Sequence, residues 1–396
     1  MKKIELLAPA GNLDKLKMAI RYGADAVYIG GKSFSLRARA SNFSLEDIRE
    51  ACTFAATHQA KIYVTMNIVP HQEDFTGLDE YLIYLHEVGV RAIITSSVSI
   101  MERSLTLVPK MEVHLSTQLS IANHLSCNYY QEQGVSRIVL ARELDLSQLR
   151  SLRQAVSVGL EVFIHGGMCS SYSGRCMLSN HLVNRDANRG GCAHSCRWDY
   201  HLYHHQQLVH EAPFKIASKD LCGVEAIPQL IEMGIDSLKI EGRMKSEYYI
   251  ATVVRAYRKL LDACQEGRPV AMDEIYQELA KAENRPFSTG FLNHEPDHEG
   301  HLYADTSTPT KEFVGMVLDW DEATQVAKLE QRNHFPCEAQ LEFFGPHLDN
   351  TLVSIHEIWD QEGNQLDAAR HPKQVVFVRV PFKVSPYDMV RLVKGE

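Results

Sequence analysis

A short sequence motif that recurs four times constrains the fold of this chain more than any other feature. In each copy a glycine ends a helical pattern and an apolar, strand-like segment follows, at Gly23–Ile29, Gly89–Thr95, Gly134–Leu140 and Gly234–Ile240. Glycine suits the left-handed backbone position that ends a helix, and a continuous apolar segment suits a strand buried on both faces. The repeats therefore predict alternating strands and helices around a parallel sheet.

Eight candidate strands emerge when the intervals between these motifs are filled in. Apolar stripes with helical spacing separate them, the clearest being the one that follows Ser246. This α/β pattern predicts a (β/α)8 barrel of the TIM type, and a doubly wound open sheet is the alternative. The candidate strands lie near Ile4–Ala8, Ala26–Gly30, Lys61–Asn67, Ala92–Thr95, Glu112–Ser116, Arg137–Ala141, Glu161–His165 and Ser237–Ile240.

Two segments depart from this alternation and divide the chain. Residues 166–213, between strands seven and eight, lack helical periodicity and are rich in Gly, Ser, Asn, His, Arg and Cys. They predict an insertion at the carboxyl end of a barrel strand, which is where barrel enzymes place their active sites. The barrel then spans residues 1–290, a polar linker follows over 291–310, and short turn-bounded strands over 311–396 predict a small C-terminal all-β barrel domain.

Composition and charge narrow the class of protein. Apolar residues make up 45% of the chain and charged residues 23%, which is typical of a globular protein. We find no secretory signal and no segment that could form a transmembrane helix, and we expect a cytoplasmic protein with no membrane contact. The net charge of −9 argues against a protein that coats nucleic acid, but it is compatible with a local RNA site.

Four of the nine cysteines lie in one 28-residue stretch inside the insertion, with the spacing C-x6-C-x15-C-x3-C. In a reducing compartment, clustered cysteines more often hold a metal than form disulfides. Zinc sites usually use closely spaced pairs, whereas an iron–sulfur cluster takes four thiolates from less regular spacing. A [4Fe–4S] cluster, zinc and unliganded core thiols all stay open at this point. The four candidates are Cys169, Cys176, Cys192 and Cys196, with Cys222 as a reserve ligand.

One segment matches a zinc-protease motif in sequence but lacks the helical setting that the motif needs. His294 and His298 match H-E-x-x-H, which binds zinc when a helix places both rings on one face. Pro296 lies between them, and proline inside a helix costs about 3 kcal/mol. We interpret the segment as polar linker, and we expect replacement of both histidines to leave metal content unchanged.

Charged side chains gather at the ends of the predicted strands seven and eight. Strand alternation puts Lys239, Glu241 and Arg243 on one face, and it puts His165 on the same face as Glu161. The plain interpretation is a structural ion pair of Glu241 with Lys239 or Arg243. The alternative is a group of charges that converges on a barrel mouth and binds an anionic substrate, with His165 as a proton donor or as a neighbour of the cysteines.

Further polar residues end strands three, five and six or belong to the insertion. They are Asn67, His114, Gln118, Arg142 and Arg175, which we interpret as substrate-binding candidates. The insertion also carries a local positive charge and several aromatic residues, as expected of a surface that stacks RNA bases. In the alternative interpretation, its arginines only offset the charge of a thiolate cage.

Several motifs together resemble a known family. They are Glu5–Asn12, Gly23–Gly30, His114–Gln118, the four-cysteine segment and Lys239–Ser246. In combination they are similar to the collagenase-like peptidase family of unknown catalytic type, over the barrel and into the C-terminal domain. The resemblance implies iron–sulfur proteins that hydroxylate RNA or ubiquinone precursors without molecular oxygen.

The most similar branch of that family implies an enzyme that converts the wobble uridine of tRNA, at position 34, to 5-hydroxyuridine and depends on prephenate. The resemblance implies a [4Fe–4S] cluster on the four insertion cysteines, although some relatives draw a ligand from further downstream than Cys196. The expected partners are tRNA and a small carboxylate cosubstrate, the latter held by Arg243 and Lys239 with Glu241 orienting them.

Two other functions stay in view. The first is a peptidase, as the family name states, although the sequence offers no convincing Ser-His-Asp set. The second is a non-catalytic subunit of an RNA or quinone hydroxylation complex, since some members of the family work as heterodimers. A paralogous partner subunit or a homo-oligomer is accordingly among the expected partners.

Overall fold

A closed barrel of eight parallel strands forms the first part of the protein. The computed structural model describes residues 3–35, 42–293 and 309–393. Each barrel strand pairs with the next, and the eighth pairs with both the seventh and the first, so the predicted (β/α)8 barrel is confirmed and the open sheet is wrong. The strands are β1 (Glu5–Pro9), β2 (Ala26–Gly30), β3 (Lys61–Met66), β4 (Ala92–Thr95), β5 (Glu112–Leu115), β6 (Arg137–Val139), β7 (Gly159–Gly167) and the eighth barrel strand (Ser237–Ile240).

Ten α-helices are present in the described part of the chain, most of them around the barrel. Several begin at a capping side chain, as at Ser44 and Ser246, whose hydroxyl oxygens accept a backbone N–H three residues on. No helix within the described ranges has the length and apolar character needed to span a bilayer. The helices are α1 (Leu13–Arg21), α2 (Leu45–Thr57), α3 (Leu78–Glu87), α4 (Val98–Leu107), α5 (His124–Glu132), α6 (Leu146–Ala155), α7 (Leu178–Val183), α8 (Ile227–Met233), α9 (Glu247–Glu266) and α10 (Met272–Leu279).

An ionic layer occupies the barrel interior at the amino ends of the strands. The Glu5 carboxylate accepts hydrogen bonds from Arg137 at 2.5 Å, Tyr63 at 2.7 Å, Lys61 at 2.9 Å and Ser237 at 3.0 Å. Burial alone would raise the pKa of Glu5, but Arg137 and Lys61 outweigh it and lower the pKa to about 2. Every oxygen of this buried carboxylate is thus satisfied, and the lower half of the barrel is a filled, charged core.

The insertion between β7 and the eighth barrel strand is confirmed as a separate, irregular segment. It contains the short helix α7 and an exposed hairpin of Tyr203–His204 with Gln207–Leu208. The chain then returns through Asp220–Cys222, which pairs antiparallel with the end of β7. This return strand fixes both ends of the insertion at the carboxyl side of the barrel.

The C-terminal domain is all-β, as predicted. Its main sheet is antiparallel, and its edge strands, Thr351–Ser354 and Gln365–Leu366, do not pair with each other in the described residues. Phe335, Phe343 and Val376 are among the buried residues of its core. The strands are Glu312–Asp321, Val326–Gln331, Phe335–Pro336, Gln340–Phe344, Thr351–Ser354, Ile358–Trp359, Gln365–Leu366, Ala368–Ala369, Val375–Arg379 and Met389–Leu392.

The C-terminal domain docks on the outer helices of the barrel through buried charges. Arg391 is fully buried and forms ion pairs with Glu278 of α10 and, at 3.0 Å, with Glu342 of its own sheet. Arg255 of α9 donates to the carbonyl oxygens of Gly345 at 2.8 Å and Leu348 at 2.7 Å. These contacts fix the domain on the side of the barrel.

Candidate active site at the barrel mouth

Arg243 lies at the barrel mouth, the region where the carboxyl ends of the eight strands meet. Its guanidinium reaches across to the other side of the barrel and donates to Ser35 at 2.8 Å, Thr65 at 3.2 Å and Asn42 at 3.3 Å. A Cβ on Gly30 would collide with this guanidinium, so a side chain there would displace Arg243 from its present position. Arg243 is therefore a buried cation above β2 and β3, at the place that barrel enzymes use for substrate.

Glu241 occupies the rim above the eighth barrel strand. Its carboxylate accepts a hydrogen bond from the Tyr28 hydroxyl at 2.9 Å. Gly166 at the end of β7 has a φ of +101°, and a side chain there would collide with the Glu241 carbonyl. The close approach of these two strand ends holds Glu241 at the mouth, where the sequence placed it.

Arg142 also lies at the mouth, on the side opposite Arg243. Its guanidinium carbon is 4.0 Å from the centre of the Phe163 ring, and Nη1 donates to the Gly167 carbonyl at 3.0 Å. Its Nε is buried and has no hydrogen-bond partner among the described residues. The structure thus places this predicted substrate-binding residue in a position to meet a ligand.

The predicted placement of Lys239 at the mouth is wrong. Its ammonium lies 2.7 Å from Glu161 in the ionic layer and faces the rings of Tyr28 and Phe163 at 4.6 and 5.3 Å. Burial would raise the pKa of Glu161, but Lys239 and Arg137 outweigh it and lower the pKa. Lys239 is therefore committed to a buried ion pair with Glu161, which sequence alternation alone could not distinguish from a pair with Glu241.

His114 is likewise part of the ionic layer and not of the mouth, contrary to the sequence prediction. It is fully buried, its Nε2 lies 3.2 Å from Glu112, and its ring meets that of Tyr63 edge-on at 4.8 Å. Burial lowers the pKa of His114 in spite of the nearby carboxylate. The ring is a neutral packing element near the barrel floor.

His165 leaves the barrel interior because β7 is irregular at this point. Its register with the eighth barrel strand shifts after Phe163, so His165 does not share the inward face of Glu161 as predicted. The ring packs against Tyr257 of α9 and Phe287, with Nδ1 3.2 Å from the Tyr257 hydroxyl. Burial lowers the pKa of His165 to about 4. A direct role as proton donor at the mouth is not supported by this position.

Two of the three other predicted polar residues lie at or near the mouth. Gln118 is buried beyond β5 and accepts a hydrogen bond from Ser116 at 3.3 Å. Asn67 follows β3, where its backbone carbonyl accepts from Ser96 at 3.2 Å. Arg175 is exposed on the insertion, away from the barrel floor.

The insertion crosses the mouth and is attached on both sides of it. Near β6, Glu143 accepts hydrogen bonds from the backbone N–H and the hydroxyl of Ser173, both at 2.6 Å. On the β3 side, the Asn188 carbonyl accepts from the Val69 N–H at 3.0 Å, and Arg189 forms an ion pair with Asp74. These attachments place the cysteine-bearing segment above the polar residues of the mouth.

The four insertion cysteines share this segment. Asn188, which attaches the insertion near β3, also binds the backbone of Cys176 at 3.2 and 3.1 Å. Burial raises the pKa of the Cys196 thiol, a hydrogen bond with Ser170 lowers it, and Cys169 and Cys192 are near enough to raise it further. The thiols of Cys169 and Cys192 therefore both lie in the neighbourhood of the Cys196 thiol.

The donor set fits an iron–sulfur cluster in kind, because four free thiols occupy one irregular segment and none of them is fully buried. In the described ranges, however, no three His, Cys, Asp or Glu side chains are close enough together to hold a metal ion as they stand. Formation of a cluster would require the cysteine side chains to converge.

Cys222, the reserve ligand, belongs to a different environment. It lies on the return strand opposite His165, and burial raises its pKa to about 11. A buried, protonated thiol beneath α9 is a poor candidate to replace Cys196. The rejected zinc motif of His294 and His298 lies outside the described residues.

Sequence reasoning missed the groups that hold the cations and the insertion in place. Ser35, Thr65 and Asn42, which bind Arg243, have no distinctive motif, although the Gly30-Gly31 pair is a signal of close approach. Asp74 pairs with a residue 115 positions away, and nothing in its local sequence indicates this.

Comparisons with known proteins agree with this architecture. The model of peptidase family U32 matches residues 11–302, and the model of the U32 C-terminal domain matches residues 309–391. Together the two matches cover the barrel from α1 onward, its insertion and nearly all of the C-terminal sheet.

Three curated relatives carry different names. The tRNA hydroxylation protein P1 of Bacillus subtilis (strain 168) is 48% identical over 400 residues, which cover 98% of this chain and 95% of that protein. The 23S rRNA 5-hydroxycytidine C2501 synthase of Escherichia coli (strain K12) is 39% identical over 267 residues, covering 67% of this chain and 40% of that enzyme. A collagenase of Porphyromonas gingivalis (strain ATCC BAA-308 / W83) is 32% identical, covering 97% and 96%.

Proposed function

This chain belongs to peptidase family U32, and from that premise we propose that it hydroxylates RNA. The main support is sequence similarity. Over nearly its whole length the chain is 48% identical to a protein named for tRNA hydroxylation. Its barrel mouth holds two arginines beneath a cysteine-bearing insertion. The name of the rRNA synthase of Escherichia coli supports RNA hydroxylation from a second relative.

We propose uridine at the tRNA wobble position as the substrate and 5-hydroxyuridine as the product, formed without molecular oxygen. The anticodon loop is single-stranded, so its bases can be unstacked and presented to a pocket. The insertion offers exposed aromatic rings for stacking at Tyr172, Trp198 and Tyr203, and the exposed cation Arg175 for the phosphate backbone. These groups belong to the insertion, which is attached at the mouth.

We propose a [4Fe–4S] cluster held by Cys169, Cys176, Cys192 and Cys196. When bound, such a cluster would supply electron-transfer chemistry. The protein's own contribution is to keep the four cysteines above the mouth through Asn188, Arg189 and the Glu143–Ser173 hydrogen bonds.

We propose prephenate as the carboxylate cosubstrate, bound by Arg243. The Ser35, Thr65 and Asn42 oxygens that accept from its guanidinium are neutral, and they fix the orientation of the planar group. Glu241, held by Tyr28, lies on the adjacent rim and orients what binds there. Lys239 is omitted from this role because Glu161 holds it.

The test of function is the nucleoside content of tRNA. We expect a strain that lacks this gene and any paralogue to lose 5-hydroxyuridine and its derivatives, as measured by mass spectrometry of digested tRNA, and to regain them with the gene restored. Full retention of these nucleosides would contradict the proposal. Gelatin hydrolysis by the purified protein, with tRNA nucleosides unchanged, would favour the peptidase function that the Porphyromonas gingivalis relative's name carries.

The test of the cofactor is direct analysis of the protein. Prepared without oxygen, it should be brown and contain about four iron and four sulfide per chain. Replacement of Cys169 or Cys176 by serine should remove the colour, whereas Cys222→Ser should retain it, because Cys222 lies on the return strand beneath α9. Stoichiometric zinc without sulfide would show that the cluster assignment is wrong.

A further inference from the structure

Arg142 has hydrogen-bonding capacity that the described residues leave unused. Its Nε is buried without a partner, and Nη1 donates to one backbone carbonyl, that of Gly167. No carboxylate in the described ranges pairs with it. A guanidinium has five N–H donors and a permanent positive charge, so this arrangement leaves both the donors and the charge without an anion.

The other cations of the barrel interior differ from Arg142. Arg137 binds Glu5 and Glu161, and Lys239 binds Glu161. In those pairs a carboxylate neutralises each positive charge, so a structural role accounts for them. Arg142 cannot be explained in this way, because its main neighbour is the Phe163 ring.

The ring of Phe163 is a shared neighbour of Arg142 and of the ionic layer. The Arg142 guanidinium carbon lies 4.0 Å from the centre of this ring, and the Lys239 ammonium lies 5.3 Å from the same centre. Glu161 is engaged by Lys239 and Arg137 and forms no pair with Arg142 in the described residues. Arg142 is therefore open to an anion supplied by a ligand at the mouth.

Arg142 and Arg243 are anchored on opposite sides of the mouth. Arg142 lies over β7, and Arg243 lies over β2 and β3 through its contacts with Gly30 and Thr65. In a closed ring of eight strands, the seventh and third strands are diametrically opposed. Phe163 contacts Arg142 and Tyr28 binds Glu241, and aromatic rings of this kind suit an organic skeleton better than an inorganic anion.

We propose that Arg142 binds the second carboxylate of a small organic dianion whose first carboxylate binds Arg243. The inference deepens the proposed function, on which it rests for the identity of the cosubstrate. It makes Arg142 the residue that distinguishes a dicarboxylate from a monocarboxylate. A nucleic-acid phosphate is the alternative anion, and the experiment separates the two.

The experiment measures ligand binding by calorimetry, with prephenate as the dicarboxylate probe and phenylpyruvate as a monocarboxylate probe. The variants are Arg142→Gln, which removes the charge, and Arg142→Lys, which keeps it without the planar fork. Arg150→Gln is the matched control, because Arg150 lies on the outside of α6 in an exposed pair with Glu232. Thermal melting establishes that each variant is folded.

We expect Arg142→Gln to weaken prephenate binding by about ten- to a hundred-fold, the usual worth of a charge-assisted hydrogen bond. Phenylpyruvate binding should change by less than about three-fold, because its single carboxylate binds Arg243. Arg142→Lys should fall between the two, and Arg150→Gln should match wild type. If Arg142→Gln does not fold, a loss specific to prephenate in Arg142→Lys provides the same evidence.

Three results would overturn the inference. They are unchanged prephenate binding in Arg142→Gln, equal losses for both probes, and no binding of prephenate to wild type at millimolar concentration. Weakened tRNA binding with normal prephenate binding would assign Arg142 to a phosphate instead. A dicarboxylate site that passes this test in a protein without effect on tRNA nucleosides would refute the proposed function while leaving the site intact.

Discussion

Lys239 and Arg243 are four residues apart in one motif, yet they act in different parts of the barrel. Lys239 points down to Glu161, whereas Arg243 crosses the mouth to Ser35 and Thr65. At the residue scale, the role of a charged side chain therefore depends on which buried acceptor it reaches. Alternation along the strand identifies the face of a residue, but it does not identify that acceptor.

We expect Arg243→Ala to abolish 5-hydroxyuridine while leaving the iron content unchanged. The variant removes one of the two cations at the mouth, and it leaves the buried oxygens of Ser35 and Thr65 with one donor fewer. The second effect should cost about 1–3 kcal/mol of unfolding free energy. Nucleoside analysis and denaturant unfolding measure the two effects separately. Wild-type levels of 5-hydroxyuridine in a stably expressed Arg243→Ala protein would refute the role of this residue.

His165 should make the protein less stable in mild acid. Its pKa is about 4 when folded against an ordinary value of 6.5, so below pH 6.5 the unfolded chain takes up a proton that the folded protein refuses. Between pH 7.5 and pH 5 this lowers the free energy of unfolding by about 2 kcal/mol. Urea unfolding of His165→Gln should show a pH dependence smaller by that amount. Parallel pH dependences of the two proteins would show that the ring accepts a proton in place.

At the scale of elements, the insertion depends on contacts with loops far away in the chain. We expect Arg189→Gln to release the β3 side of the insertion, because the variant breaks the ion pair with Asp74 and the 3.0 Å hydrogen bond to the Val69 carbonyl. Limited proteolysis should cleave the insertion several-fold faster, with little change in barrel unfolding. Arg103→Gln, which breaks a similar exposed pair with Asp79, is the control. Equal cleavage rates in the two variants would show that this contact is dispensable.

The barrel strands could be predicted because a strand buried on both faces has a local signature. The boundaries predicted for β2 and β4 coincide with the observed ones. The register shift in β7 could not be predicted, since it arises from pairing with the eighth barrel strand and has no mark in the sequence of Glu161–His165. That single shift moves His165 out of the interior. The arginines at the mouth were predicted, whereas the partners that orient them were not.

At the scale of the whole molecule, buried charges join the two domains. We expect Arg391→Ala to lower the free energy of unfolding by about 3–5 kcal/mol, because it leaves the buried carboxylates of Glu278 and Glu342 with less compensation. Unfolding should then separate into two transitions in calorimetry. Arg379→Ala, on an exposed pair in the same sheet, is the control. A single transition at the wild-type temperature would show that the docking does not depend on Arg391.

The insertion is not a self-contained module that could be moved onto another barrel. Its attachments use Glu143 after β6 and Val69 and Asp74 after β3, which belong to the host scaffold. A chimaera that receives residues 166–213 alone would carry the cysteines without the loop contacts that hold them above the mouth. In this family the sequences of the two scaffold loops and of the insertion should therefore vary together. Moving the insertion's activity from one relative to another would require transplanting all three segments at once.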